Sequence, residues 1–315
     1  MKTKYLPTWV ACGLFVCSLA FTVNQAAAVL TTNSWNDGSS KWELGSNWSA
    51  GVPSLANAVN LISGGIPVGP RVITIDAATV ASNVINGCMT VSNVTLTGSS
   101  LAPNTLFLNN ANNVAGTTSL IVLGNLQVLI HGGLSITNSR VRVDGAPSGF
   151  GGLYIDGGFG QLQSDSSLFT TNAFIGNTTF GNFAMLGGTW DSGPIWVGDM
   201  AGSQGTLTVS GGTITMNDGF AVSAFLIGAN PNATGTVWMT GGQLNVTNNT
   251  VYVGSSGIGQ MTVSNGTFVI EDMYVGAFGG QGTFTLAGGT LTVQNSGSIS
   301  IGLSSTNAAM WLTGG

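Results

Sequence analysis

The sequence predicts an all-β protein: a right-handed parallel β-solenoid (β-helix) of three-strand coils, each roughly 22–30 residues long, with a Trp-rich N-terminal cap. An Ile-Gly or Val-Gly pair recurs at spacings of 22, 30, 26, 22 and 26 residues, and such a period is typical of stacked repeats. Between the pairs, segments such as GTLTV (205–209) and TITM (213–216) alternate apolar and polar residues, as half-buried strands do. The pairs begin at Ile175, Val197, Ile227, Val253, Val275 and Ile301.

A Gly-Gly or Asn-Gly pair separates the first two strand segments of each repeat, as in GTFTLAGGTLTV (282–293). Such a pair closes a hairpin or turns a corner between two strands of one solenoid coil. A propeller blade needs about 40 residues, so the shorter units favour the solenoid, and a hairpin-based sheet is the alternative. The inward positions are predicted to form core ladders: Leu207, Val209, Val237, Met239, Met261, Val263, Phe284 and Leu286.

Residues 1–28 have the pattern of a secretory signal peptide. Lys2 and Lys4 form a basic start, residues 9–23 are apolar, and Ala26-Ala27-Ala28 is a small-residue cleavage site. A membrane anchor is the alternative, but the apolar run is short for a stable span. We therefore expect a secreted protein, extracellular or on a bacterial cell surface, with no membrane span after the signal is removed.

The predicted mature chain is acidic. It keeps four cationic residues against eleven carboxylates, a net charge of −7, and no Lys or Arg follows Arg142. Nucleic acid and anionic membranes are therefore poor partners. Cys88 is the one cysteine left after removal of the signal, which excludes an intramolecular disulfide and favours a role in packing.

Residues 29–60 differ from the repeats. They hold Trp35, Trp42 and Trp48, which suit a cap over the first open coil. The alternative is an aromatic platform that binds sugars. Residues 61–315 then read as one continuous solenoid on the order of ten coils, regular over 175–315, with the last repeat incomplete.

The segment SWNDGSSKWELGSNWSAGVPSLANAV (34–59) resembles the opening of secreted bacterial proteins built from autotransporter-associated β-strand repeats. The units TVSNGTFVI (262–270) and GTFTLAGGTLTV (282–293) are similar to the repeats of that family. The resemblance covers most of the mature chain. It implies a pectin-lyase-like β-helix and a passenger or cell-surface role.

One charged cluster lies just before the middle of the chain. Arg140 and Arg142 alternate on a predicted strand and share a face, with Asp144 and Asp156 as the nearest acids in sequence. Polysaccharide lyases share the β-helix and need a cationic base, so Arg140, Arg142 and Asp144 are the catalytic candidates. The favoured interpretation is a solvated strand face. His131 has no Cys or second His nearby, so neither a metal site nor a cofactor is expected.

A glycosidase needs two carboxylates about 5–9 Å apart. Asp218 and Asp272 align two coils apart, near 10 Å, which is marginal. Glu271 adjoins Asp272 on one strand and therefore faces the other side. Asp191 and Asp199 belong to another coil and have no evident partner.

Trp238 and Trp311 occupy the outward slot of VWMTGG and MWLTGG, where other coils place Thr or Ala. An exposed indole on a regular sheet stacks on sugar rings or on another protein. The alternative is contact with a loop or a neighbouring domain.

We therefore predict a non-catalytic protein, a structural stalk, adhesin or extracellular matrix component whose partners are glycans or other surface proteins. The alternative is a carbohydrate-binding or polysaccharide-degrading β-helix. The chain stops within a sixth repeat, at residues 313–315, without an atypical cap. Because an uncapped coil exposes strand edges, we expect either a missing continuation or end-to-end self-association.

Overall fold

The computed structural model describes residues 31–36, 38–63, 70–82, 89–111, 118–145, 152–216, 224–305 and 307–314. The predicted signal peptide (1–28), Cys88 and Asp218 lie outside these ranges. In the described chain, helical structure is confined to α1 (Ala77–Ser82) and a 3-10 turn at Gly45–Asn47. Among the same residues, no helix is long and apolar enough to cross a bilayer.

The described residues form 27 strands. The first nine are β1 (Thr31–Ser34), β2 (Ser40–Lys41), β3 (Asn57–Ile62), β4 (Arg71–Ile75), β5 (Met89–Val91), β6 (Val94–Leu96), β7 (Asn104–Asn109), β8 (Leu120–Val122) and β9 (Leu126–Val128). The next nine are β10 (Gly132–Thr137), β11 (Arg140–Val143), β12 (Leu153–Ile155), β13 (Phe159–Leu162), β14 (Ser167–Thr170), β15 (Ala173–Ile175), β16 (Phe180–Met185), β17 (Thr189–Ser192) and β18 (Ile195–Val197). The last nine are β19 (Gln204–Val209), β20 (Thr213–Met216), β21 (Ala224–Ile227), β22 (Thr234–Val253), β23 (Ile258–Ala277), β24 (Gln281–Leu286), β25 (Thr290–Val293), β26 (Ile299–Leu303) and β27 (Ala308–Leu312).

These strands build three parallel sheets, one on each side of a solenoid of about 10 turns. Each strand pairs with its equivalent in the next coil, and the long strands β22 and β23 run around two corners and join all three sheets. Sheet A contains β2, β4, β7, β10, β13, β16, β19, β22, β23, β24 and β27. Sheet B contains β5, β8, β11, β14, β17, β20, β22, β23 and β25. Sheet C contains β1, β3, β6, β9, β12, β15, β18, β21, β22, β23 and β26.

The Gly-Gly and Asn-Gly pairs form corners rather than hairpins. β19 and β20 flank one such pair, yet β19 pairs with β16 and β22, while β20 pairs with β17 and β22. The second glycine of each regular pair has φ between 71° and 88°, a conformation that disfavours a side chain. The solenoid prediction is therefore confirmed, and the hairpin-based alternative is wrong.

The core lies inside the three sheets and consists of ladders of apolar side chains. Leu207, Val237, Met261 and Phe284 stand in register on neighbouring strands of sheet A, and each is at most 1% exposed. The predicted inward positions are confirmed, although Leu286 is only partly buried because it lies near the C-terminal end of the stack. Burying such side chains stabilises the fold by roughly 1.5–3 kcal/mol each.

Three tryptophans pack together at the N-terminal end. Trp35, Trp42 and Trp48 are 3%, 0% and 3% exposed. Trp48 makes edge contacts with both other rings, at centroid distances of 4.9 Å, and its indole N–H donates to the backbone carbonyl of Trp42. Buried rings cannot stack on a sugar, so the sugar-platform alternative is wrong and the cluster fits the predicted cap.

The C-terminal coil is less well covered than the others. Ile301 pairs with Val275 and occupies the same core-side position, but Ile301 is 51% exposed whereas Val275 is fully buried. Leu312, paired with Leu286, is 66% exposed. The apolar ladders therefore continue to this end of the described chain, where no further described strand covers them.

Glycines at the corners between sheets C and A give the first testable prediction. Gly254 has φ +73°, and a Cβ there would lie 2.0 Å from the carbonyl oxygen of Gln281 on the next coil. Gly202 has a similar φ of +84° with nothing within 4 Å of such a Cβ. Gly202→Ala should cost about 1–2 kcal/mol from the left-handed backbone alone, whereas Gly254→Ala should cost roughly 4 kcal/mol or more.

Urea denaturation followed by circular dichroism compares the two variants. Equal losses of stability would contradict the role of the close coil-to-coil approach at Gly254.

Candidate functional site

Two exposed indoles stand on the outer face of sheet A. Trp238 is 45% exposed and Trp311 is 58% exposed. In register, Trp238 lies between Thr208 and Thr262, and Trp311 lies beside Thr285. These neighbouring side chains are small, and among the described residues no aromatic ring stacks on either indole. The structure thus places both residues outward, as the sequence predicts, and their ligand stays a prediction.

The two indoles belong to one column of the sheet. The register runs from Trp238 through Thr262 and Thr285 to Trp311, which is three steps from coil to coil. Parallel strands lie about 4.8 Å apart, so the two Cα atoms are separated by roughly 14 Å along the solenoid axis. The column therefore offers two flat apolar surfaces in line with the axis.

An open groove lies beside this column, and sequence reasoning missed it. It has a volume of about 290 Å³ and is lined by residues of β23, β24 and β27. Gln260, Thr283 and Ala309 form the adjacent outward column, each two residues before the column of Trp311. Ala309 contributes only a methyl group to the lining. The sequence signal that could have revealed it is the run of outward amides at Gln260, Gln281 and Asn307.

Sheet C carries a different aromatic feature, also missed from the sequence. Tyr154, Phe174 and Trp196 stack face to face on consecutive coils, with centroid distances of 4.7 and 4.5 Å and interplanar angles of 9° and 7°. Tyr252 and Tyr274 form a second stack at 5.3 Å. Each ring covers the face of its neighbour, so this aromatic ladder stabilises the stacked coils by about 0.5–1.5 kcal/mol per contact. The ladder therefore presents mainly ring edges to solvent.

The Arg cluster lies on the outer face of sheet B. Val141 and Val143 point into the core, so Arg140 and Arg142 share the outer face as predicted. The Arg142 Nε atom donates to Asp144 Oδ1 at 2.5 Å. The same guanidinium lies 4.6 Å from the centroid of the Phe169 ring on the next coil. Arg142 is therefore held in an ion pair and a cation–π contact.

Asp156 is not part of that cluster. It follows β12, at the corner between sheets C and A, whereas Asp144 follows β11, at the corner between sheets B and C. The Asp156 carboxylate accepts hydrogen bonds from the backbone N–H groups of Thr178 and Thr179, both at 2.8 Å, and from both hydroxyls. Burial raises the pKa of Asp156, but these four hydrogen bonds outweigh it and lower the pKa below its usual value.

Other carboxylates also make local structural contacts. Asp199 is buried, which raises its pKa, while a hydrogen bond from Asn230 partly opposes that effect. Asp272 accepts from the backbone N–H and hydroxyl of Ser298, at 2.8 and 2.9 Å. The proposed Asp218–Asp272 pair is untested because Asp218 lies outside the described ranges. Burial raises the pKa of Asp191 on sheet B.

No metal-binding arrangement occurs in the part of the chain that the structure describes. There, no three His, Cys, Asp or Glu side chains gather closely enough to hold an ion. His131 has φ +55°, and its backbone N–H and carbonyl bridge Gly157 and Asn104 of neighbouring coils. In the described structure, His131 therefore connects neighbouring coils through its backbone groups at a turn.

The corner hydrogen bonds of Asp156 predict a pH-dependent stability. A carboxyl whose pKa is lowered by folding stabilises the protein above its unfolded pKa, about 3.9, and loses that contribution as pH falls through the folded value. Asp156→Asn should therefore lower the melting temperature at pH 7, and the difference should disappear in strong acid.

Asp165→Asn is the matched control, because Asp165 is exposed and its side chain makes no hydrogen bond to the described residues. Differential scanning calorimetry at several pH values makes the comparison. A pH-independent difference for Asp156→Asn would show that charge does not matter at this corner.

Comparisons of the chain with protein-family models, with curated proteins and with solved structures each find no match. The resemblance to autotransporter-associated β-strand repeats therefore depends on the residues quoted for it, at 34–59, 262–270 and 282–293. It stays a prediction, as do the passenger and cell-surface roles that it implies.

Proposed function

We propose that this protein is a non-catalytic, secreted or surface-displayed β-solenoid that acts as a stalk, adhesin or extracellular matrix component. The supporting observation is that both described ion pairs and the hydrogen-bonded Asp156 make structural contacts at coil corners and on a sheet face. Arg142 is paired with Asp144, Asp156 accepts four hydrogen bonds from two threonines, and Lys41 pairs with Asp76. Groups held this way are poorly suited to proton transfer, which needs a pKa near the working pH.

The architecture supports a mechanical role. Parallel hydrogen bonds connect the described coils across three sheets. One apolar ladder of sheet A runs without a break from Ile75 on β4 to Leu286 on β24. Such a stack is stabilised by nearest-neighbour contacts, so it holds a rod-like form without disulfides. Stalks and matrix proteins need that stiffness along one axis.

The N-terminal segment and the family resemblance support export and surface display. Residues 1–28 combine a basic start, an apolar run and a small-residue end, which is the pattern of a cleaved secretory signal. End-to-end association through the partly uncovered Ile301 and Leu312, or a continuation of the chain over them, stays a prediction.

Polysaccharide degradation is the second candidate, favoured by the shared outer face of Arg140 and Arg142. The ion pair with Asp144 argues against it, because a paired guanidinium is not free to clamp a substrate carboxylate.

An activity assay separates the two functions. The purified chain, incubated with pectate, alginate and neutral polysaccharides, should release no reducing ends and no unsaturated products above background. Lys41→Ala, which removes a cation from an ion pair near the N-terminal end of the solenoid, is the matched control for Arg142→Ala. Cleavage that persists in Lys41→Ala and is abolished in a folded Arg142→Ala protein would replace the structural role with a catalytic one.

A further inference from the structure

The outer face of sheet A between β22 and β27 is uncharged. Its outward positions are filled by Thr, Gln, Asn, Ala, Ile and Trp, and the corresponding segments contain no Asp, Glu, Lys or Arg (234–239, 258–263, 281–286 and 307–312). The other described faces carry charge, such as Arg142 on sheet B. A ligand held on this part of sheet A therefore gains nothing from a net charge of its own.

The groove on this face carries free hydrogen-bonding groups. The side chains of Gln260, Gln281, Thr283 and Asn307 line it and form no hydrogen bond to the residues that the structure describes. An amide offers two donors and an acceptor, and a hydroxyl offers one donor and two acceptors. Hydroxyl groups of a ligand, which both donate and accept, match such a lining.

Trp311 adds an apolar surface at the edge of the groove. Ala309 lines the groove, and Trp311 follows two residues later on the same face, about 7 Å along the strand. Its indole is 58% exposed, so a ring lying in the groove can also contact the indole face. Trp238 supplies a second indole in the column of Trp311. It lies on β22, one coil before Gln260 on β23, and so stands at the opposite end of the groove from the C-terminal coil.

We propose that this groove, flanked by Trp311 and Trp238, is a binding site for a neutral glycan that lies along the solenoid axis. A sugar ring presents hydroxyls around its edge and C–H groups on its face, which matches amides beside an indole. A linear glycan is favoured because the two indoles are separated by roughly 14 Å in line with the axis. This binding activity goes beyond the structural role and does not depend on it.

Affinity gel electrophoresis of the full chain tests the proposal. Native gels contain neutral polysaccharides (β-glucan, xylan, mannan and galactan) or the anionic polymers alginate and pectate. At least one neutral polysaccharide should retard the protein, and the anionic polymers should not. Trp311→Ala should weaken the retardation at least about tenfold, since an indole that a ligand covers commonly dominates an interface. Gln281→Ala should also weaken it at least about tenfold, because the variant loses the amide hydrogen bonds to the sugar hydroxyls. Trp238→Ala should weaken the retardation by polymers, and should have a smaller effect on the competition by added soluble oligosaccharides that are too short to reach both indoles.

Trp196→Ala is the matched control, because it removes a tryptophan from sheet C and leaves the groove intact. It should be retarded like the unmodified chain, and circular dichroism checks that all variants are folded. Lack of retardation by every neutral polysaccharide, or equal retardation of the Trp311→Ala and unmodified proteins, would overturn the site. Release of reducing ends in the same mixtures would instead overturn the non-catalytic role, so the two failures are distinguishable.

Discussion

The register between successive coils is the constraint on which the rest of this structure depends. Four neighbouring strands of sheet A place Leu207, Val237, Met261 and Phe284 directly above one another, with no slip over these positions. A slip of one residue would exchange the inner and outer faces of a strand. The buried ladders therefore fix the register, and the register fixes which side chains reach solvent and which neighbours they meet there.

This constraint also decides what chemistry the surface can hold. Outward side chains meet their equivalents at steps of about 4.8 Å along the axis, so a functional group is built from residues one repeat apart rather than neighbours in sequence. On sheet C the result is a column of aromatic rings that cover one another, from Tyr154 to Trp196. On sheet A the indoles of Trp238 and Trp311 are separated by threonines, which leaves their faces open beside a groove of free amides.

Much of the fold could be predicted from the sequence, because the glycine spacing and the alternation report directly on coil length and burial. The outward position of Trp238 follows from the same alternation. The aromatic ladder was missed although a large outward residue precedes most Ile-Gly or Val-Gly pairs, as at Phe174 and Trp196, because only the register shows that these rings stack. The grouping of Asp156 with Arg142 was wrong, since sequence proximity does not show that a corner separates the two residues.

Cross-linking of engineered cysteines tests the coil register most directly. Thr262 on β23 pairs with Thr285 on β24 in the next coil, and the distance between adjacent parallel strands suits a disulfide. A Thr262→Cys and Thr285→Cys double variant should form this cross-link on oxidation, identified by peptide mass mapping. The pair Thr262→Cys and Val269→Cys, which a hairpin across Asn265-Gly266 would bring together, should not. Efficient cross-linking of 262 to 269, with none between 262 and 285, would contradict the stacked-coil account.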